Sequence, residues 1–125
     1  MPRIALVTAA EALSLDEDLP PLIAAFEGDA VAVCWDDATV DWSAFDLALL
    51  RSAWDYVPRL AEFLAWCDRV ATVTRLLNPP ALVRLVARTL EKDPEHRHPS
   101  ADELALEIGR ALSKVDGPTW RRWLT

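Results

Sequence analysis

The chain has 125 residues, 52% of them hydrophobic, which suffices for one domain with a packed core and argues against disorder. Thirteen basic residues against twenty acidic ones give a formal charge of −7, which argues against nucleic acid and anionic membranes as partners, since both want a basic surface. No apolar run approaches the length of a membrane span.

The amino terminus carries one basic residue, Arg3, then a short apolar run and soon an acidic cluster. That order predicts a first strand rather than a secretory signal. Ile4 to Thr8 is apolar and without helical period, as in a buried parallel strand. Asp16, Glu17 and Asp18 precede Leu19-Pro20-Pro21. Acids favour the positive end of a helix, and proline is tolerated in its first turn. Leu19, Leu22, Ile23 and Phe26 share one face of that helix, and Gly28 ends it.

Ala30 to Trp35 predicts a second buried strand and Leu47 to Leu50 a third, joined by an acidic loop containing Asp36, Asp37 and Trp42. Arg51 to Tyr56 then reads as a polar, aromatic turn. Pro58 opens a helix with an apolar stripe of Leu60, Phe63, Leu64, Cys67 and Ala71. Thr74 to Asn78 is a candidate short fourth strand. Pro79-Pro80 starts another helix with Leu82, Leu85, Val86, Thr89 and Leu90 on its apolar side. Strands alternating with helices predict parallel βαβ units.

After Leu90 the character changes. Glu91 to Pro99 is a charged, proline-containing turn. Ser100 and Glu103 have the spacing of a capping box at the start of a helix carrying Leu104, Ile108, Ala111, Leu112 and Val115. Gly117-Pro118 breaks that helix, and Trp120, Trp123 and Leu124 cluster in one or two further turns. Arg121 and Arg122 beside them read as part of a core or partner contact rather than a membrane anchor. Cys34 and Cys67 have no ligand-type spacing and read as buried thiols in a reducing cytosol. His96 and His98 read as exposed turn residues, and no metal site is expected.

Residues 3–84 resemble the amino-terminal domain of ATP-grasp ligases of the glutathione-synthetase-like or RimK-like type. The resemblance is carried by RIALVT, VDWSAFDLALLRSAWDY, PRLAEFLAWCDRV and RLLNPPALVR in that order. It implies a small α/β layer on the substrate-binding side of a ligase, with the nucleotide and its Mg²⁺ held by later domains. That reading stops just after Arg84, and no phosphate-cradling glycine loop is visible around Gly28, Gly109 or Gly117. Residues 82–112 resemble the last two helices of a bacterial serine/threonine protein kinase, through Lys92-Asp93-Pro94, Arg97, Pro99-Ser100-Ala101 and Glu103-Leu104. In that family Arg97 would be structural. The kinase catalytic motifs are absent here, so Arg97 is expected to meet a local acid (Glu91, Asp93 or Asp102) or solvent.

The resulting expectation is a composite chain. Residues 1–84 form an α/β domain with a three- or four-stranded parallel sheet, half of a Rossmann-like or flavodoxin-like fold. Residues 85–125 form a helical tail packed on it within one globular unit. The best binding candidates are Arg51, Ser52, Trp54, Asp55 and Tyr56, joined by Thr8 at the end of the first strand. Arginine binds carboxylate or phosphate in a bidentate way, and the aromatics supply a stacking wall. The competing reading is an Arg51–Asp55 ion pair with Trp54 packed on the helix. Arg97, Ser100 and Glu103 are structural candidates. No catalytic residue and no cofactor is assigned. The expected protein is cytoplasmic and non-catalytic, and binds a small molecule or a protein. A homodimer or another partner would meet it through an open sheet edge or the carboxyl-terminal helices. The alternative is an accessory domain of an ATP-grasp carboxylate–amine ligase completed by another chain.

Overall fold

The computed structural model describes residues 2–114. The predicted cluster of Trp120, Trp123 and Leu124, and the break at Gly117-Pro118, lie outside the described residues. The chain divides into two compact units, Met1–Pro80 and Ala81–Thr125.

The first unit is a four-stranded parallel sheet with helices. Its strands are β1 (Ile4–Thr8), β2 (Ala30–Cys34), β3 (Leu47–Ser52) and β4 (Arg75–Leu77), and their spatial order is β2-β1-β3-β4. β1 is central and buried along its whole length, as a continuous apolar run flanked by two parallel neighbours requires. Helices α1 (Ala12–Leu15) and α2 (Leu19–Ala25) connect β1 to β2, and α3 (Leu60–Val70) connects β3 to β4.

Strand alternation divides the core between the two faces of the sheet. Ile4 and Leu6 pack with Leu19 and Ala30, covered by Leu22, Ile23 and Phe26 of the α2 segment. The other layer is aromatic. Phe63 and Trp66 of α3 stack at 5.5 Å between ring centroids, Trp35 meets Phe63 edge-on at 5.1 Å, and Trp42 meets Trp66 edge-on at 5.1 Å. Such pairs stabilise by about 0.5–1.5 kcal/mol each beyond the area they bury. The apolar stripe of α3 therefore buries Phe63, Trp66, Cys67 and Val70. Trp66 and Val70, at its margin in the sequence, belong to its centre.

Three local features depart from expectation. β3 runs on to Ser52, so Arg51 and Ser52 belong to a strand rather than a turn. The reason is a register shift between Val7 and Thr8, which lets Thr8 pair with Ser52. A short helix, α1, occupies the stretch after β1. Trp42–Ala44 forms a 3-10 turn, held by the Asp41 carboxylate, which accepts from the Ser43 amide at 3.1 Å and the Ser43 hydroxyl at 2.6 Å. After α2, Glu27 and Gly28 both take positive φ, 53° and 95°. Gly28 suits that helix exit because it has no Cβ to clash.

The second unit contains α4 (Pro80–Thr89), whose first residue closes the first unit, and α5 (Ala101–Lys114), separated by a turn around Pro94–His96. The Ser100 hydroxyl accepts from the Glu103 amide at 3.2 Å, the serine half of a capping box. Arg97 is exposed to solvent, one of its two anticipated environments, and donates to the Lys92 carbonyl at 3.1 Å. His96 is exposed as anticipated, with Nδ1 3.0 Å from the Asp93 carboxylate. His98 is not exposed. Its side chain is 4% accessible, and its Nε2 lies 2.8 Å from Glu107, which also pairs with Arg88. The turn folds His98 back onto α5, which spacing alone does not reveal. Among the described residues, no helix is long and apolar enough to cross a membrane.

Candidate functional site

In an open parallel sheet, ligands bind outside the carboxyl ends of the strands, where the strand order reverses. Here β2 lies on one side of β1 and β3 on the other, so that point falls between the ends of β1 and β3. Thr8 and Ser52 meet there. The Ser52 hydroxyl donates to Thr8 Oγ1 at 2.9 Å, and Thr8 Oγ1 donates to the Ser52 carbonyl at 3.4 Å. Both residues are fully buried, and this pair satisfies the two hydroxyls inside the end of the sheet.

Arg51, the residue before Ser52 in β3, has its side chain one-third exposed. Its Nη2 lies 3.3 Å from Asp16 and 3.7 Å from Asp18, in the segment joining α1 and α2. The anticipated Arg51–Asp55 pair is therefore replaced by an Arg51–Asp16 pair. Arg51 extends along β3, whereas Asp55 lies past the strand end and is taken by Arg59, one helical turn on. Asp16 is 4% accessible, and its Oδ2 is buried with no hydrogen-bond partner among the described residues. One carboxylate oxygen thus anchors Arg51 while the other stays unmet, an expensive arrangement for a buried charge.

A second network lies at the end of β2. The Trp35 indole donates to Asp55 at 2.9 Å, and Arg59 donates to Asp55 at 2.9 Å and to Asp36 at 2.8 Å. Arg59 also forks onto Glu62 at 2.8 and 3.1 Å, and its guanidinium sits over the Trp35 ring at 4.5 Å. Hydrogen bonds to Glu62, then Asp36 and Asp55, raise the Arg59 pKa against an opposing effect of burial. Asp36, read from sequence as an ordinary loop acid, thus joins an ordered cluster. Arg59 was not singled out, although its i+4 spacing from Asp55 and i+3 spacing to Glu62 are the visible signal.

The remaining candidates divide. Tyr56 packs on Phe63 at 5.2 Å, so its ring is part of the aromatic layer. Trp54 is 49% exposed, so it is not packed away on the helix. Leu13, Leu15 and Val57 are also exposed in the segments that follow β1 and β3. The half-buried Cys34 lies at the end of β2. Burial, and then the charges of Asp36, Asp37 and Asp55, push its thiol above the ordinary value. Among the described residues, no three His, Cys, Asp or Glu side chains converge as a metal-binding group would need.

Comparison with known proteins bears on this first unit. The chain is 51% identical over 84 residues to the cycloserine biosynthesis protein DcsG of Streptomyces lavendulae, which covers 65% of this chain and 28% of that protein. The crystal structure of D-cycloserine synthetase DcsG superposes with a TM-score of 0.62 at 48% identity, covering 66% of this chain and 29% of that one. The chain thus spans under a third of the length of these relatives. Residues 4–78 match the family described as D-cycloserine synthetase DcsG, N-terminal domain, and the chain belongs to that family.

Proposed function

We propose that residues 1–84 act as the substrate-side domain of a D-cycloserine-synthetase-type ligase. ATP-grasp domains, joined to it or on a partner, would supply the nucleotide and the bond-forming step. The observation that carries this reading is the 51% identity to DcsG over 84 residues. In this reading Arg51, oriented by Asp16, takes an anionic group of the substrate. Trp54 offers a stacking surface past the end of β3, Tyr56 backs it from the aromatic layer, Thr8 and Ser52 brace the strand ends, and Asp55 holds the segment through Trp35 and Arg59. These groups bind and orient, and the domain by itself is non-catalytic.

Residues 85–125 read as a kinase-lobe-type helical addition that stabilises and catalyses nothing of its own, with Arg97, Ser100 and Glu103 in structural roles. The chain is then a composite. A protein partner would be met at the carboxyl ends of β1 and β3. A homodimer would form through an open sheet edge, β2 or β4, or through the carboxyl-terminal helices.

The test is association. This chain would be mixed with Streptomyces lavendulae DcsG lacking its matching amino-terminal segment, and the mixture followed by size exclusion with light scattering. The reading expects a one-to-one complex weakened by salt, given the excess of acidic residues here. Two species that stay separate at every ratio would favour a remnant that folds without a ligase partner.

A further inference from the structure

Within the second unit, α4 and α5 border a groove of about 360 Å³. Arg84, Leu85 and Arg88 of α4 line it, and Glu107, Arg110 and Ala111 of α5. These residues recur every three or four positions, so each helix turns one face to the groove. Three arginines against one glutamate give the lining an excess of positive charge, in a chain whose formal charge is −7.

The glutamate is already taken twice. His98 Nε2 lies 2.8 Å from one Glu107 oxygen, and Arg88 donates to the other. Arg88 uses only Nη1 for that contact, and its guanidinium makes no other hydrogen bond among the described residues. Arg110 is exposed, and its guanidinium has no ion pair or hydrogen bond among the described residues. Arg84 has an interaction of its own and adds its charge to the lining. Guanidinium N–H groups of Arg88 and Arg110 are therefore left to an anion from outside. A carboxylate is satisfied in one plane by a single guanidinium. Donors from two helices suit a group with several oxygens spread in three dimensions and more than one negative charge, as in a phosphoryl group. Leu85 and Ala111 beside them give a carbon body an apolar surface, which favours an ester over the free ion.

We propose that this groove binds a small organic phosphate, its oxygens received by Arg88 and Arg110 and its carbon body laid against Leu85 and Ala111. The groove lies outside residues 4–78, which carry the family match, so the proposal does not depend on the ligase-domain reading.

The experiment is titration of the full chain with phenyl phosphate, inorganic phosphate and benzoate at constant ionic strength, followed by amide and arginine Nε–H resonances in NMR. Expected is saturable binding of phenyl phosphate, with the largest shifts at residues 84–88 and 107–111. Inorganic phosphate and benzoate should each bind more weakly by on the order of tenfold. Arg88→Gln and Arg110→Gln should each weaken phenyl phosphate by a similar factor. Lys92→Gln, an exposed position that does not line the groove, should leave binding unchanged. If Arg88→Gln fails to fold for want of its contact with Glu107, Arg110→Gln decides, because that side chain holds no partner among the described residues. No saturation by about 10 mM phenyl phosphate, or shifts centred outside the two helices, would overturn the proposal. So would phosphate or benzoate binding as tightly as the ester, or Lys92→Gln weakening it as much as Arg110→Gln.

Discussion

Asp55 ties two other side chains together. It accepts from the indole of Trp35, which is 2% accessible, and from Arg59, whose guanidinium covers that indole's ring. Asp55→Ala leaves the Trp35 N–H unpaired in the core and is expected to destabilise the first unit by about 2 kcal/mol in urea unfolding. Asp55→Asn, which keeps an acceptor for the indole, should cost clearly less. Equal losses in the two variants would mean that the ion pair to Arg59, and not the indole bond, is what matters. Cys34 gives a second expectation at this scale. Its thiol is pushed up by burial and then by Asp36, Asp37 and Asp55, so its thiolate fraction at about pH 8 is below that of a simple thiol. Iodoacetamide labelling of Cys34 should be slow, and Asp36→Asn should speed it. Labelling at the rate of a free peptide thiol would contradict the geometry.

At the scale of elements, β1, β2, β4, α2 and the core of α3 were legible in the sequence because burial on both sides of a strand, or on one stripe of a helix, leaves a plain apolar pattern. What stayed hidden depends on the third dimension. The bulge that pairs Thr8 with Ser52 lengthens β3 past its apolar run. Arg51 therefore leaves from a strand, where Asp16 is within reach, and not from a turn facing Asp55. The burial of His98 likewise depends on the turn before α5, not on spacing. That contact leads to a pH expectation. Hydrogen bonding from His98, and then the charge of Arg88, hold the Glu107 carboxyl below its ordinary value against an opposing effect of burial. A depressed carboxylate contributes stability above its unfolded value, and that contribution is lost as the pH falls through the lower folded value. Protection of α5 amides from hydrogen exchange should therefore fall between about pH 5 and pH 3, and Glu107→Gln should flatten that fall. An unchanged profile in the variant would remove Glu107 from the account.

At the scale of the molecule, charge is divided unevenly. Residues 1–80 carry five basic and thirteen acidic side chains, and residues 81–125 carry eight and seven. The acidic unit is the one that belongs to the D-cycloserine synthetase family, and its rim carries the exposed Leu13, Leu15, Trp54 and Val57. A basic partner surface with apolar contacts would complement it. The central claim is that this α/β unit is interchangeable with the domain it resembles. It is tested most directly by replacing the matching amino-terminal segment of Streptomyces lavendulae DcsG with residues 1–84 and measuring ATP-dependent formation of D-cycloserine. The account predicts activity within about tenfold of the parent enzyme and its loss on Arg51→Ala in the replacement. A folded replacement no more active than the enzyme lacking that segment altogether would contradict it.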